Sequence, residues 1–281
     1  MTTELIQLNH QQFERFSEFI YAKSGIHVPD NKVSLLSNRI RRRLKVCRID
    51  DFDVYYRHLV NSPRAGELGH FLDSITTNET FFFRTPHHFE WFTTDFIKEV
   101  VEKQQRGIRS KTLRVWSAAC ATGEEPYSIA ICLRENHYRL RDWELTILGS
   151  DISEAVLTRA REGIFKPRAV EALNEKRLRR NFMPAGPDEC WQIRNELKEM
   201  TRFERHNLMD AMPQPMFDCI FIRNVLIYFD RTSKQTVVDN LIARLAPGGY
   251  LVVGASEGIY DLVEPLNQCR TFLYRKPSEG T

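Results

Sequence analysis

The sequence predicts an α/β fold, preceded by a small all-helical domain and interrupted by a small inserted antiparallel β subdomain. Three observations predict it. Apolar runs of strand length at residues 115–118, 145–151, 217–222 and 250–254 are separated by segments with helical periodicity. The first run leads into a turn of small residues that opens a helix, which is where α/β sheets bind nucleotides. Between residues 163 and 206 the alternation of strand and helix breaks into short pieces. A chain of 281 residues can bury two modest cores, and the domains are expected at 1–88 and 89–281, with the insertion at about 164–206.

In chain order, residues 32–48 place Val33, Leu36, Ile40, Leu44 and Cys47 along one helical face. Arg41, Arg42, Lys45 and Arg48 lie opposite, with Arg39 and Arg43 on the flank. Solvated helix faces usually mix signs, whereas this one meets no acid before Asp50, so it favours an acidic partner through an attraction that fades with salt. RNA meets that requirement, and so does an acidic protein surface. The helical domain is expected to end near Thr76, Thr77 and Asn78, a helix to cover 89–101, and the charged stretch 103–111 to form an exposed loop.

The strand beginning at Val115 runs into Ala118, Ala119, Ala121 and Gly123, whose small side chains let the backbone approach a ligand. The first turn of the next helix leaves amide N–H groups free to meet it. A phosphate-binding loop would carry glycines and a lysine here; Glu124 and Glu125 would repel the anion. A cationic or neutral adenosyl ligand therefore fits better than a dinucleotide or a nucleoside triphosphate. After a helix over about 126–138, the strand 145–151 ends in Asp151, placed to accept both ribose hydroxyls at roughly 1.5–3 kcal/mol per charge-assisted bond. Asp151 could equally cap the helix that follows; the small-residue turn one strand earlier favours the ribose, and the pair of features supports S-adenosylmethionine.

Farther on, a helix over 167–182, a turn at 184–188 and strand candidates at 191–194 and 200–203 make up the expected β insertion. Residues 217–222 read as a central strand entering a site loop at 223–229. The helix 233–245 keeps Val237, Leu241, Ile242 and Leu245 on one face. Pro247, Gly248 and Gly249 turn the chain into the strand 250–254, and 271–274 is the last strand. This ending resembles that of Rossmann-like methyltransferases, an order shared by many activities.

Composition narrows the setting. The net charge of +3 is too small to identify a partner, and six cysteines without a C-x-x-C pair suit reduced thiols better than disulfides or a metal site. The first ten residues lack a signal-peptide pattern and no apolar run approaches about 18 residues, so a cytoplasmic protein without membrane insertion is expected. His87 and His88 have no third ligand and read as surface or boundary residues; no metal is expected.

Three separated motifs carry a specific resemblance. Ser117-Ala118-Ala119 followed by Thr122-Gly123-Glu124-Glu125-Pro126-Tyr127-Ser128, the run from Thr77-Asn78-Glu79-Thr80 through Phe81-Phe82-Phe83-Arg84, and Arg223-Asn224-Val225 with Ile227-Tyr228-Phe229 resemble the CheR family. Its members are chemotaxis methyltransferases that esterify chemoreceptor glutamates. The resemblance spans about residues 13–274. It implies a Rossmann-like domain using S-adenosyl-L-methionine and releasing S-adenosyl-L-homocysteine, in a monomer recruited to receptor arrays at the inner membrane. It also implies that Asn78, Thr80 and Arg84 surround the methionine part of the cofactor, with Arg84, helped by Tyr228, holding the incoming carboxylate. Glu125 would take the cofactor's ammonium and Asp151 its ribose. Asn207 and Leu208 would flank the adenine, with Arg223 and Asn224 below the methionine. For the basic helix, with Arg39, Arg41, Arg42, Lys45 and Arg48, the resemblance selects the glutamate-rich helical bundle of methyl-accepting receptors over nucleic acid. Phe81, Phe82 and Phe83 are expected in the core.

The chemistry agrees with that resemblance. A glutamate with a pKa of about 4.3 is already an ionised nucleophile at pH 7, which explains why no His-Asp or Cys-His pair stands out. Attack of an anion on a sulfonium neutralises charge, so a dry, well-aligned site suffices. A nucleic-acid amino-methyltransferase would commonly carry an Asn/Asp-Pro-Pro-aromatic loop where Arg223-Asn224-Val225-Leu226 stands. A cofactor-binding adaptor would have lost some of the named positions, and a relative serving a receptor outside chemotaxis would look the same as this chain. The short turn at 183–189, with one glycine, favours recognition without a tether to a receptor's terminal peptide.

Overall fold

The computed structural model describes residues 7–61, 66–76, 78–186 and 189–278. Thr77 of the expected boundary and Pro187 and Asp188 of the expected turn lie outside them.

Four helices, His10–Ser24, Val33–Cys47, Phe52–Asn61 and Gly66–Ile75, enclose a core of Phe16, Ile20, Ile40, Tyr55 and Phe71. The first is opened by a capping box between Asn9 and Gln12 and closed by Gly25 in the left-handed region. The basic helix Val33–Cys47 buries Leu36, Ile40 and Leu44, as its pattern requires. Arg43 turns inward and pairs with Glu67 at 2.7 Å, and Glu67 also accepts from the Tyr55 hydroxyl at 2.6 Å. Burial pushes the Glu67 carboxyl up, but Arg43 and Tyr55 outweigh it and hold the pKa below its ordinary value.

Ten strands follow among the described residues: β1 Thr112–Ala118, β2 Glu144–Asp151, β3 Ile164–Phe165, β4 Phe182–Ala185, β5 Cys190–Ile193, β6 Thr201–Arg205, β7 Phe217–Ile222, β8 Leu245–Val253, β9 Asn267–Arg270 and β10 Leu273–Arg275. Seven of them form one sheet in the order β6-β2-β1-β7-β8-β10-β9, parallel from β6 to β8 and antiparallel at β10 and β9. Alternate side chains feed two cores. Val115, Ile147, Phe221 and Val252 face one, with Tyr127, Ile129 and Leu133 of the helix Glu124–Glu135; Trp116, Leu148, Ile220 and Leu251 face the other, with Val237 and Leu241 of the helix Arg231–Arg244. The small antiparallel sheet has the order β3-β5-β4.

Several expected elements differ. The strand foreseen at 200–203 is β6 of the large sheet, paired with β2, whereas β3 and β4, too short for a period to show, complete the small one. Residues 247–249 are not a turn between elements but lie inside β8, where a register shift against β7 absorbs them; a Cβ on Gly249 would stand 3.0 Å from the Asp218 carbonyl. The helix foreseen over 89–101 runs as Pro86–Trp91, a π-helical stretch Phe92–Phe96 and Ile97–Gln105, which shortens the expected loop. The one foreseen over 167–182 is split into Pro167–Val170 and Glu175–Asn181. His88 is not a boundary residue: it is buried, with its ring stacked on Phe272 at 4.3 Å, and burial lowers its pKa to about 3.

Candidate cofactor and substrate site

The strand order reverses between β1 and its neighbours β2 and β7, and a cavity lies beyond the carboxyl ends of these strands. Its floor is the turn after β1. Ala119 (φ 59°), Ala121 (φ 48°) and Gly123 (φ 94°) are all left-handed there, a cost of about 1–2 kcal/mol for each alanine that the surroundings must offset. The Ala121 N–H donates to Asp151 Oδ2 at 3.0 Å and the Cys120 N–H to the Ser150 carbonyl at 2.9 Å, tying the turn to the end of β2. A Cβ on Gly123 would lie 2.9 Å from Ala160, so only glycine lets the helix Glu154–Glu162 pack this close.

The two adjacent glutamates part company. Glu125 faces the cavity: Ser117 donates to its Oε1 at 2.7 Å and Arg223 Nη1 lies 3.0 Å from its Oε2. Glu124 faces a second cleft beside Arg159, Lys166 and Arg168, accepts from Thr122 at 2.7 Å, and is pushed up to about 7 by burial. Arg223 is buried, donates to the Arg84 carbonyl and to Thr85 Oγ1 at 3.1 Å, and lies 5.6 Å over the Phe89 ring. Burial lowers its pKa while Glu125 opposes the fall.

Asp151 is 7% exposed, accepts from Ser153 N–H on Oδ1 at 3.0 Å, and has its pKa raised by burial. The N-cap of the next helix is Ser153, so Asp151 keeps its place at the cavity wall. Asn207 and Leu208 line the same cavity; the Asn207 amide donates to the Lys23 carbonyl at 3.1 Å. Asn78, Thr80 and Arg84 form the opposite wall, where Arg84 donates to the Glu79 carbonyl at 3.0 Å. Phe82 and Phe83 are core as expected, but Phe81 is not: it is exposed and lines the cavity under the Arg84 guanidinium. Asn224 and Tyr228 complete the lining, and the Tyr228 carbonyl accepts from the His27 N–H at 2.9 Å.

Every residue foreseen for the cofactor or the reaction thus meets in one cavity. The basic helix does not join them. Arg39 lines an adjoining groove with Lys32, Leu35, Ile227 and Tyr228, while Arg42, Lys45 and Arg48 are exposed and Arg41 is half-buried. Ser24 and Ile26 from the helical domain and His206 line the cavity and escaped the sequence reading, as did the Glu257 carboxylate that holds the loop after β7 from behind the wall. None has a local signal, because each depends on a contact distant in sequence.

S-adenosylmethionine fits this lining. Glu125 and Asp151 offer carboxylates that can meet an ammonium and ribose hydroxyls, and Ile26, Leu208 and Phe229 offer apolar surface to a base, while Glu79 is paired with Arg168 at 2.9 Å. Among the described residues no cluster of His, Cys, Asp and Glu is arranged to hold a metal ion, and no helix is long and apolar enough to cross a membrane.

Comparison with known proteins adds the following. Residues 78–273 match the family model "CheR methyltransferase, SAM binding domain", and residues 11–76 match "CheR methyltransferase, all-alpha domain". The chain is 37% identical over 266 residues to the chemotaxis protein methyltransferase of Salmonella typhimurium, covering 93% of this chain and 88% of that one. It is 38% identical over 265 residues to the protein of the same name from Escherichia coli, covering 92% and 88%, and 34% identical over 258 residues to that of Borreliella burgdorferi, covering 90% of each.

Proposed function

The chain belongs to the CheR methyltransferase family, and from that premise we propose that it methylates glutamate side-chain carboxylates of methyl-accepting chemotaxis receptors, giving glutamyl methyl esters and S-adenosylhomocysteine. The observation that carries this reading is the convergence of Arg84, Tyr228, Glu125 and Asp151 on one cavity. Arg84 and Tyr228 suit binding and aligning a nucleophile that is already ionised.

S-adenosylmethionine supplies an electrophilic methyl on a sulfonium. Asp151 receives the ribose hydroxyls on the lone pairs its two backbone bonds leave, and Asn207 and Leu208 bound the adenine. Glu125, held by Ser117 and Arg223, presents its outer lone pairs to the ammonium, with Asn78, Thr80 and Asn224 around the methionine. Arg84 and Tyr228 orient the incoming carboxylate, and apolar Phe81, Phe89 and Val225 exclude water. Alignment of this kind accounts for up to about 7–11 kcal/mol of barrier reduction. The helical domain presents Arg39, Arg41, Arg42, Lys45 and Arg48 to the acidic receptor bundle, at receptor arrays on the inner membrane and without a peptide tether.

Transfer of radiolabelled methyl to a cytoplasmic receptor fragment, followed by mild base, tests this reading. Label that leaves as volatile methanol is the expected result. Label that survives base means nitrogen or carbon methylation, and the ester assignment falls.

A further inference from the structure

We infer that Glu257 is a positioning residue whose buried carboxylate sets the backbone of residues 224–226, so that Asn224 and Tyr228 face the cavity. Glu257 is 1% exposed and does not line the cavity itself. Its Oε1 accepts from the Asn224 N–H and its Oε2 from the Leu226 N–H at 2.8 Å, so one carboxylate gathers two main-chain donors of the site loop. Lys234 Nζ donates to the Glu257 carbonyl at 2.9 Å and fixes the segment that carries it.

The loop needs such a brace. Asn224 is left-handed, with φ 59°, and the chain passes from β7 into the 3-10 turn Leu226–Tyr228 within a few residues. Other attachments hold its ends: Arg223 is tied to Glu125 and Thr85, and the Tyr228 carbonyl to His27. A Cβ on Gly254 would lie 2.6 Å from Glu257 Oε1 and 3.2 Å from the Asn224 nitrogen, so the end of β8 is kept bare where the carboxylate passes.

A buried acid is costly, and burial does raise the pKa of Glu257. Two N–H donors facing one side chain explain why an acid stands there. A carboxylate accepts both, whereas an amide would turn its own NH2 toward one of them and leave a donor unmet.

The test uses the full chain and three readouts: hydrogen exchange across residues 222–229, calorimetric affinity for S-adenosylhomocysteine, and kcat and KM for methyl transfer to a cytoplasmic receptor fragment. Loss of a charge-assisted bond to a buried amide predicts that Glu257→Gln speeds exchange at Asn224 and Leu226 by at least about tenfold and lowers kcat about ten- to hundredfold. KM for the fragment stays within about threefold and the melting temperature within a few degrees. Glu257→Asp, which restores the charge one methylene shorter, recovers part of kcat. Wild-type exchange and kcat in Glu257→Gln would overturn the assignment. So would a loss of kcat accompanied by faster exchange throughout the domain, since that marks a general structural role. The kcat readout rests on the proposed methyl transfer; if the wild type transfers no methyl, that reading falls, and exchange at Asn224 and Leu226 still decides this one.

Discussion

Glu124 and Glu125 are neighbours in sequence, yet the first turn of a helix points them into different cavities. Glu125 is compensated by Arg223 and Ser117, whereas Glu124 has no charged partner among the described residues and sets Thr122 and its own backbone N–H against its burial. Its folded pKa of about 7 exceeds the ordinary 4.5, so the native state holds the proton more tightly than the unfolded chain. The favourable contribution is therefore present below about pH 4.5 and is lost as pH rises through about 7. Glu124→Gln is expected to raise stability at pH 8 by up to roughly 2–4 kcal/mol and to leave it little changed at pH 4.5, as read by urea denaturation at the two pH values. Asp151→Ala should weaken S-adenosylhomocysteine binding roughly ten- to hundredfold, and an unchanged dissociation constant in calorimetry would remove the ribose assignment. Arg84→Ala has the opposite signature: turnover lost with cofactor affinity held within several-fold. Loss of both together would exclude a clamp on the substrate carboxylate.

At the scale of the element, the helix Val33–Cys47 illustrates how one amphipathic pattern serves two purposes. Its apolar stripe is sealed against the helical core, and its inward flank is used by Arg43 with Glu67. That leaves Arg42, Lys45 and, just past its end, Arg48 exposed. Exposed charge pairs are each worth about 0.2–1 kcal/mol, so reversing all three to glutamate should raise KM for the receptor fragment about tenfold or more. Cofactor affinity should stay as it was, and the wild-type advantage should shrink as salt is added. An unchanged KM at low salt would mean that the receptor docks elsewhere.

For the whole molecule, the decisive contact is where the helical domain meets the sheet domain. Gly25 ends the first helix with φ 72°, and a Cβ there would run into Met209 Sδ and lie 3.1 Å from Phe229. Ile26 and His27 then bond to the loop that carries Tyr228, while Ser24 and Ile26 line the cavity. Gly25→Ala should therefore cost about 1–3 kcal/mol and weaken S-adenosylhomocysteine binding as well. A lower melting temperature with unaltered affinity would show that the helical domain does not shape the cofactor site.

Most of the residues that meet in the cavity were legible through the resemblance of three separated motifs to the CheR family; the sequence by itself determined the parallel strands, the small-residue turn after the first of them and the helical domain. Each of these is written locally, in a period of two or 3.6 or in a short run of neighbours. Tertiary structure alone decided that β6 joins the large sheet and that β3 and β4, of two and four residues, complete the small one, because such short pieces carry no period of their own. It alone sent Glu124 away from the cavity, buried His88, exposed Phe81 and placed Glu257 behind Asn224 and Leu226. The physical reason is common to all four: burial and hydrogen-bond partnership are set by groups distant in the chain, and a residue's own neighbours do not specify them.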